Sequence, residues 1–569
     1  MNQPLFPGLA LHQPPSRPLS VPEALALARE HLQGSRRADA EALCVMVLQT
    51  EPENPDALHM MGLLAHLAGR QGIALALMEK AARLQPGVAQ FHYNMGVVLG
   101  LLRRPADALV CYRAAVALDP LYPHAMGNLG NAALECDQLD EALAAYDAVL
   151  AQHPHEPNLT LARAIALLAM RRLDLAGPAF EAALSLAPAS PRHLWEQSHH
   201  LLTAGDLARG FDLYEARFAE GIGSNVWAYP YPFPRWQGEP LAGKTLLLHG
   251  EQGLGDEIMF ASIYPELIAE AGQVIICCQP HLAALFRDSF PGAHVQAQMR
   301  ADADGWTRRP ADWLAGAPRI DYQIPFASLG RLRRRTLADF PGQAGNPSDG
   351  PHGASHHNPS DNPRGYLRPD PAKVAHWREQ LSTLPGHSGL PGLRIGLCWS
   401  ANPAMQDASA ARRSRKKSLA PQQLEALFDV PGVAFVSLQT REAAAQLEAA
   451  PPRVRARLFD ASAGLNDFSD TAALIANLDL VISVDTSVAH LAGALGRPVW
   501  IALPWQPDWR WHEGADTSEW YPSARLFRQA ALGDWDGVLG RLREALSQRA
   551  APHAAQVLAR SPAAGGVPA

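Results

Sequence analysis

The strongest chemical signal in the sequence is the segment Asp-Thr-Ser-Val-Ala-His at 485–490. An apolar strand is predicted at 480–484, and a helix is predicted to begin directly after it. Ligands of open parallel sheets bind at the carboxyl ends of strands, and a helix N-terminus at that place offers backbone N–H groups and a partial positive charge. This arrangement suits a diphosphate. Asp485, at the junction, is explained equally well as a ligand contact and as a helix cap.

Other polar side chains are expected at the same end of the sheet. Thr486 and Ser487 add hydroxyl donors, and His490 lies one helical turn after Thr486, so it faces the same side. Gln439 follows another predicted strand, at 434–438, and is a candidate nucleotide contact. We therefore expect these side chains to line one anion-binding site.

Two further segments carry glycine or positive charge at the ends of predicted strands. The turn Gly-Glu-Gln-Gly-Leu-Gly-Asp at 250–256 follows a strand predicted at 245–248, and a helix is predicted at 257–271. The run Arg-Arg-Ser-Arg-Lys-Lys at 412–417 follows a strand predicted at 394–399. Its five cations fit either an anion contact or a solvated basic loop.

The elements that must position these segments alternate between strand and helix, which predicts parallel sheets covered on both faces. A first lobe is predicted at 243–340 and a second at 365–547. Between them, 341–364 is a low-complexity insertion rich in Pro, Gly, Ser, Asn and His. An aromatic and proline-rich linker precedes both lobes at 222–242. The remaining strands are predicted at 274–278, 294–298, 320–324 and 499–502.

The first third of the chain repeats itself every 34 residues. The prolines that carry this period are Pro52, Pro86, Pro120, Pro154 and Pro188. In the same phase, small residues occupy Gly62, Gly96, Gly130 and Ala164, and large ones occupy Met78, Tyr112, Tyr146 and Phe180. Small residues let the two helices of a hairpin approach, a large one fills the gap to the next hairpin, and proline ends the second helix. A period of 34 is that of tetratricopeptide repeats, so we predict an α-solenoid of about six repeats over 21–221, with a degenerate last unit at 194–218.

Such an array presents a concave surface that binds a protein or peptide, or else it serves as a spacer or a dimerisation platform. Several polar residues lie on the predicted first helices, which line that surface. These are His92, Tyr93, Asn94, Asn128 and Asn131. They fit two roles, gripping an extended peptide backbone or occupying solvated helix positions.

Composition narrows the class of protein. The 569 residues carry a net charge of −7 with a pI near 6.3, which does not favour nucleic acid as the main partner. Six cysteines do not make a disulfide framework, and no spacing suggests a metal site. No stretch reaches the ~18 apolar residues of a transmembrane helix. A cytoplasmic location is expected, and peripheral contact with a membrane is compatible with this composition.

The two chain ends differ in composition from the rest. The proline-rich leader at 1–20 lacks the basic region of a secretory signal, and we predict that it is disordered. The tail at 548–569 is rich in Ala and Pro, and it is predicted to be disordered as well.

The sequence around 485–490 resembles the donor-binding motif of the heptosyltransferase family, glycosyltransferase family 9. The residues that carry this resemblance further are 478–484 before the motif, and Trp509-Arg510-Trp511, Trp520-Tyr521-Pro522 and Gly533-Asp534-Trp535 after it. Together with the repeats, they resemble bacterial proteins that join tetratricopeptide repeats to this domain. The resemblance implies a GT-B fold of two Rossmann-like lobes, with the acceptor on the first and the nucleotide sugar on the second.

The resemblance also implies a catalytic residue. In that family an aspartate in the first glycine-rich loop is the proposed base, which matches Asp256, and Gly253 and Gly255 belong to the same acceptor-side loop. Such a base takes the proton of an acceptor hydroxyl as the hydroxyl attacks the anomeric carbon. Glu251 and Glu257 are the nearest alternatives, and Asp256 also fits a helix N-cap.

A basic residue contacts phosphate in that family, and Lys417 aligns with it, with Lys416 and Arg415 as neighbouring alternatives. No Asp-x-Asp motif lies in a fitting place, which agrees with a metal-independent enzyme that uses cations and a helix dipole. The implied activity is inverting transfer of a sugar from a nucleotide-sugar substrate, with no cofactor, to a protein or surface-glycan acceptor.

Two alternatives remain. One is a non-catalytic repeat scaffold with a degenerate GT-B domain, and the other is a different GT-B chemistry such as epimerisation. Typical heptosyltransferases lack the repeat array and modify the lipopolysaccharide core. The array and the insertion at 341–364 therefore leave the acceptor open.

Overall fold

The computed structural model divides the chain into two compact units, Met1–Pro188 and Ala189–Ala569. The residues that it describes are 18–122, 124–219, 226, 231–298, 301–302, 305–306, 319–341, 365–382, 392–401, 414–440 and 442–560. The leader up to residue 17 and the insertion from 342 to 364 therefore lie outside the described residues, as do 561–569.

The first unit consists of helical hairpins over its described residues. Its helices are α1 (Val21–Gln33), α2 (Arg37–Thr50), α3 (Pro55–Leu67), α4 (Gln71–Leu84), α5 (Ala89–Leu101), α6 (Pro105–Leu118), α7 (Ala125–Glu135), α8 (Leu139–Gln152), α9 (Pro157–Ala169) and α10 (Leu173–Leu186). The periodic glycines lie where the sequence requires close approach. A Cβ added at Gly96 would lie 2.7 Å from the ring of Tyr112, and one at Gly130 would lie 2.6 Å from the ring of Tyr146. The small and large positions of the repeat therefore pack against each other.

The turn inside each hairpin passes through the left-handed region of φ. The residues are Ser35 (60°), Gly69 (75°), Arg103 (60°), Asp137 (62°) and Arg171 (59°), spaced 34 apart. Four of the five carry a side chain, which costs about 1–2 kcal/mol in that region. The period continues into the second unit at Gly205, with φ of 85°.

The polar residues expected on the first helices bond to other residues of the array. Asn94 Nδ2 lies 2.9 Å from His59 Nε2, and Asn128 Nδ2 donates to Tyr93 Oη at 3.3 Å. Each of these two pairs spans 35 residues, so it joins one repeat to the next.

The second unit opens with one more hairpin, formed by α11 (Pro191–Ala204) and α12 (Leu207–Tyr214), and a 3-10 helix at Glu215–Phe218. The described end of the predicted linker, 231–242, packs on the first lobe. Trp236 is buried there, and its backbone N–H donates to the Gln323 carbonyl at 2.9 Å.

The first lobe is built on a parallel sheet in the order β3-β2-β1-β6. Its strands are β1 (Thr245–His249), β2 (Gln273–Cys278), β3 (Ala293–Ala297), β4 (Ala301–Asp302), β5 (Gly305–Trp306) and β6 (Tyr322–Pro325); β4 and β5 form a separate antiparallel pair. Its helices are α13 (Leu254–Phe260), α14 (Tyr264–Glu270), α15 (Pro280–Ser289) and α16 (Leu329–Arg333).

The second lobe is built on a parallel sheet in the order β12-β11-β10-β7-β8-β9. Its strands are β7 (Leu393–Cys398), β8 (Val433–Ser437), β9 (Leu458–Asp460), β10 (Leu480–Val484), β11 (Val499–Leu503) and β12 (Ala524–Arg528). Its helices are α17 (Pro371–Ser382), α18 (Glu442–Glu448), α19 (Pro452–Arg457), α20 (Phe468–Ile475), α21 (Ser487–Ala494) and α22 (Trp535–Arg560). Strands β10 and β11 are buried along their whole length, as continuous apolar runs in a parallel sheet should be. The predicted fold class, an α-solenoid followed by two Rossmann-like lobes, is confirmed.

One prediction about a single element is confirmed with a difference in detail, and another is wrong. The helical stretch predicted at 257–271 is present, but it begins at Leu254 and is divided into α13 and α14 by a 3-10 turn at Ala261–Ile263; α14 begins at Tyr264, with Pro265 in its first turn. The tail predicted to be disordered from 548 is helical up to Arg560, because α22 continues through it. The reason is that its alanines favour helix, and Leu546 and Ala550 are buried against the second lobe.

No helix in the described part of the chain is long and apolar enough to cross a membrane. Over the same residues, no group of three or more His, Cys, Asp or Glu side chains is placed to hold a metal ion.

Candidate active site

The site forms where β10 ends and α21 begins. Thr486 is the N-cap residue of α21, with extended backbone, and Ser487 is its first helical residue. Backbone N–H groups in a first helical turn have no partner inside the helix, so they can donate to an anion. The Thr486 hydroxyl lies 3.0 Å from Ser483 Oγ and 3.5 Å from Cys398 Sγ. The hydroxyl of Thr486 is thus bonded within the lobe, while the start of α21 carries the anion-binding geometry.

Asp485 is held by two side chains of its own lobe. Lys417 Nζ donates to its Oδ2 at 3.1 Å, and the indole N–H of Trp511 donates to its Oδ1 at 3.0 Å. Burial raises the pKa of this carboxyl, but Lys417, His490 and Trp511 together lower the pKa by more. The pKa of Asp485 therefore lies below its ordinary value. Asp485 is therefore an ionised group that orients a lysine and a tryptophan, and Thr486 occupies the cap position instead.

His490 contacts the same group of side chains, which we call the Asp485 cluster and which comprises Asp485, Lys417, Trp511 and His490. Its ring stacks on Trp511 with centroids 5.1 Å apart and an angle of 24°, and its Nδ1 lies 2.9 Å from Tyr521 Oη. Its Nε2 lies 4.0 Å from Asp485 Oδ1. Burial lowers the pKa of His490 to about 4, so the ring is neutral at neutral pH.

Lys417 is the residue of the basic run that reaches this cluster. Burial lowers the pKa of its ammonium, but the charge of Asp485 raises the pKa by more. The pKa of Lys417 therefore lies above its ordinary value. Arg415 and Lys416 are exposed, and the two arginines that open the run lie outside the described residues. Among the described cations of the run, Lys417 is the one that pairs with Asp485, and its predicted phosphate contact stays a prediction.

Gln439 is buried within the second lobe, and its side chain bonds to other residues of the lobe. Its side-chain oxygen accepts from the backbone N–H of Ser400 at 2.9 Å and from Cys398 Sγ at 3.1 Å. The residue is buried, so it holds the loop after β7. The predicted contact between Gln439 and a nucleotide stays a prediction.

The glycine-rich loop of the first lobe meets α21. A Cβ added at Gly255 would lie 2.8 Å from His490 Cδ2, so only glycine allows α13 to approach this ring so closely. The backbone N–H of Gly253, the N-cap residue of α13, donates to Asp256 Oδ2 at 3.0 Å. Asp256 is therefore the third residue of the helix and not its N-cap.

Asp256 also forms an ion pair with Arg510 of the second lobe. Arg510 pairs in addition with Asp508 and lies over the ring of Trp509, 4.5 Å from the centroid. Burial lowers the pKa of this guanidinium, but Asp256 and Asp508 outweigh it, and the pKa lies well above its ordinary value. A carboxylate of the first lobe and a cation of the second thus meet beside the Asp485 cluster.

The two alternative carboxylates have structural partners. Glu251 is fully buried and pairs with Arg217. Glu257 Oε2 accepts from the backbone N–H of Gln279 at 3.0 Å. Asp256 is half-buried, whereas both glutamates are buried. Of the three carboxylates, Asp256 is therefore the most exposed.

Sequence reasoning missed the roles of Arg510, Trp511 and Tyr521. All three lie in the aromatic segments at 509–511 and 520–522, which carried the family resemblance but received no chemical role. The density of Trp, Tyr and Arg there was the available signal, because buried aromatic groups with polar ends need partners.

The fold and the site define a helical repeat array followed by two Rossmann-like lobes, the second of which has a helix N-terminus at the end of strand β10. Residues 93–157 and 161–221 match the tetratricopeptide repeat family, and residues 432–503 match glycosyltransferase family 9 (heptosyltransferase). The chain therefore carries tetratricopeptide repeats followed by a family 9 glycosyltransferase domain. The second match includes Gln439, Asp485 and His490 and ends before Arg510.

The chain is also similar to a curated protein, Protein FlbA of Caulobacter vibrioides. The two are 31% identical over 358 residues, which is 62% of this chain and 54% of FlbA. The chain thus spans about half the length of this relative.

Two solved structures are similar to the repeats at low TM-score. YrrB, described as a tetratricopeptide repeat protein with an unusual peptide-binding site, is 21% identical, with a TM-score of 0.30, over 31% of this chain and 92% of its own. PilW, a type IV pilus biogenesis factor, is 22% identical, with a TM-score of 0.31, over 36% of this chain and 98% of its own.

Proposed function

We propose that the chain is an inverting glycosyltransferase that moves a sugar from a nucleoside-diphosphate donor to an acceptor hydroxyl. One observation carries the proposal. The pair of Asp256 and Arg510 lies beside the pair of Lys417 and Asp485, since Trp511, next in sequence to Arg510, donates to Asp485. Two carboxylates, two cations and a helix N-terminus thus lie close together.

The proposed reaction uses these groups as follows. The acceptor oxygen attacks the anomeric carbon and forms the new glycosidic bond, while the bond from that carbon to the diphosphate oxygen breaks. The electron pair of the broken bond stays on the diphosphate, and the proton of the acceptor hydroxyl passes to Asp256. Because the attack comes from the face opposite the leaving group, the configuration at the anomeric carbon inverts.

The leaving diphosphate gains negative charge in the transition state, and three features support its stabilisation by this chain. Lys417 and Arg510 are cations within the cluster, and the N-terminus of α21 adds a partial positive charge. These groups supply the charge that a divalent cation supplies in other phosphate chemistry, so we propose a metal-independent reaction.

The repeats bear on the acceptor. Their helices form a surface suited to a protein or peptide, so we propose that a protein, or a surface glycan carried by one, is presented to the lobes. We expect the reaction in the cytoplasm.

One observation favours a second candidate, a scaffold without activity. Asp256 pairs with Arg510 and accepts from the backbone N–H of Gly253, which is also what a residue that only connects the two lobes would do. In that case the domain binds a nucleotide sugar at most and transfers nothing.

Thermal unfolding of the full chain with ADP-heptose, UDP-GlcNAc, GDP-mannose and the corresponding nucleoside diphosphates tests the proposal. A donor at ~100 times its dissociation constant adds about 2.7 kcal/mol to the free energy of unfolding of the unit that binds it. A shift with one donor, followed by release of its nucleoside diphosphate, supports the transferase. A shift without release supports the scaffold, and no shift with any compound contradicts donor binding altogether.

A further inference from the structure

The last helical hairpin, α11 and α12, continues the 34-residue period of the repeats but belongs to the second compact unit. The tetratricopeptide match also runs through it, to residue 221. This hairpin is therefore a repeat by sequence and a part of the two-lobed unit by structure, and its end lies against the glycine-rich loop.

Arg217, in the 3-10 helix that follows α12, is fully buried and binds Glu251 of that loop through two nitrogens. The distances are 3.0 Å from Nε to Oε2 and 2.9 Å from Nη2 to Oε1. Glu251 Oε1 also accepts from the backbone N–H of Ala327, at 3.0 Å. A bidentate charged pair with further hydrogen bonds fixes the orientation of both partners. Arg217 thus anchors the loop to the hairpin and to the end of β6.

Tyr214, at the end of α12, holds the next residue of the loop. Gln252 Nε2 donates to its hydroxyl at 2.9 Å, and both side chains are buried. The ring of Tyr214 also lies against the ring of Trp509, with centroids 5.8 Å apart. The guanidinium of Arg510 lies over the face of Trp509. Tyr214 therefore contacts Gln252, in the loop that carries Asp256, and also Trp509, which orients Arg510.

We propose that Tyr214 and Arg217 are positioning residues for the transfer reaction, which makes the last repeat a part of the catalytic unit. They act through Gln252 and Glu251, and they set where the loop holds Asp256 relative to the donor groups of the second lobe. Their effect falls on the rate of the chemical step, since neither touches the donor site at Lys417 and Asp485. This inference rests on the proposed function.

The variant Tyr214→Phe in the full chain tests it, because the change removes one hydroxyl and keeps the ring. Tyr146→Phe is the matched control. Tyr146 is also a buried tyrosine that bonds to a side-chain amide, because its hydroxyl donates to Asn131 Oδ1 at 2.9 Å. Unlike Tyr214, it lies in the first unit. Two quantities are measured, kcat and KM for release of nucleoside diphosphate from the donor, and hydrogen exchange of the backbone amides at 250–257.

The expected result for Tyr214→Phe is a fall of about tenfold in kcat, the size of one lost hydrogen bond, with donor KM within about twofold. Exchange at 250–257 becomes faster, and Tyr146→Phe changes neither quantity. Unchanged kcat and unchanged exchange in Tyr214→Phe overturn the proposal, as does an equal loss of kcat in Tyr146→Phe. If the wild type releases no diphosphate, the proposed function fails, and the exchange measurement alone then decides whether Tyr214 positions the loop.

A second pair of variants covers Arg217. Arg217→Met leaves Glu251 buried without its partner and is expected to lower stability, whereas Arg217→Lys keeps the charge but not the bidentate geometry. We expect Arg217→Lys to fold, to keep donor KM, and to lose kcat by at least as much as Tyr214→Phe. Full kcat in a folded Arg217→Lys protein contradicts a positioning role for this residue.

Discussion

Arg510 in the second lobe forms an ion pair with Asp256 in the first, although the two residues are 254 positions apart in the sequence. The guanidinium is oriented by Asp508 and by the face of Trp509, so it reaches Asp256 from a fixed direction. This contact gives Asp256 two partners, Arg510 and the Gly253 backbone, and both matter for how the residue can be tested.

The variant Asp256→Asn distinguishes a catalytic base from a residue that only connects the two lobes. The amide oxygen can still accept from Gly253, so the start of α13 is kept, but the side chain can no longer take a proton. We expect kcat to fall by about 10²–10⁴ with donor affinity nearly unchanged, measured by diphosphate release and by calorimetric titration of the donor. Asp508→Asn, which removes the other partner of Arg510 and leaves Asp256 intact, measures how much of the loss comes from the altered environment of Arg510 alone. Loss of donor binding in Asp256→Asn contradicts the role as base.

Lys417→Met should weaken binding of the nucleoside diphosphate by roughly 10- to 100-fold, because a charge-assisted contact to phosphate is lost. Lys416→Met changes the neighbouring, exposed lysine of the same run and should leave affinity unchanged. Isothermal titration with the diphosphate alone measures both. Equal weakening in the two variants would mean that the run attracts anions as a whole.

Much of the fold could be predicted from sequence, and the reason is periodicity. The 34-residue spacing predicted the helical hairpins, and apolar runs predicted most strands of both sheets. The short strand β9 and the strand β12, which lies at the edge of the sheet and has arginines at two of its five positions, were missed. The left-handed turn residues Arg103 and Asp137 also give no local signal, since the register of the packed helices imposes that conformation.

The site could be predicted only in part. Asp485 and His490 follow a strand, so local sequence places them together. The partners Arg510 and Tyr521 come from later segments of the chain. Tyr214, at the end of α12, and Arg217, in the 3-10 helix that follows, come from more than thirty residues before the loop. Contacts of this kind depend on tertiary packing, which periodicity does not encode.

Stability should fall in acid partly because of His490. Burial lowers its pKa to about 4, whereas an unfolded histidine titrates near ~6.5. Between these values the unfolded chain binds more protons, so the free energy of unfolding rises with pH, and this contribution is lost as pH falls from about 6.5 to about 4. His490→Gln should remove a dependence on the order of 3 kcal/mol, measured by urea unfolding at a series of pH values.

A second histidine gives an internal comparison for that experiment. Burial also lowers the pKa of His249 to about 4, and this residue lies in β1 of the first lobe. His249→Gln should flatten the same pH range independently, so the double variant should be flatter than either single one. A wild-type pH dependence in His490→Gln would mean that the imidazole is not kept neutral by its burial.

Gly255→Ala tests how closely the lobes must approach. The added Cβ would lie 2.8 Å from His490 Cδ2, and that ring has little room to move because it stacks on Trp511 and bonds to Tyr521. We expect a loss of about 1–3 kcal/mol in the free energy of unfolding, and a lower kcat because α13 carries Asp256 away from the second lobe. Gly540→Ala in α22 is the matched control, since its added Cβ meets no heavy atom within 4 Å and alanine favours helix. It should leave kcat unchanged and stability equal or higher. If Gly255→Ala instead behaves like Gly540→Ala in both measurements, the contact between the glycine-rich loop and His490 is not required for the fold or for the reaction.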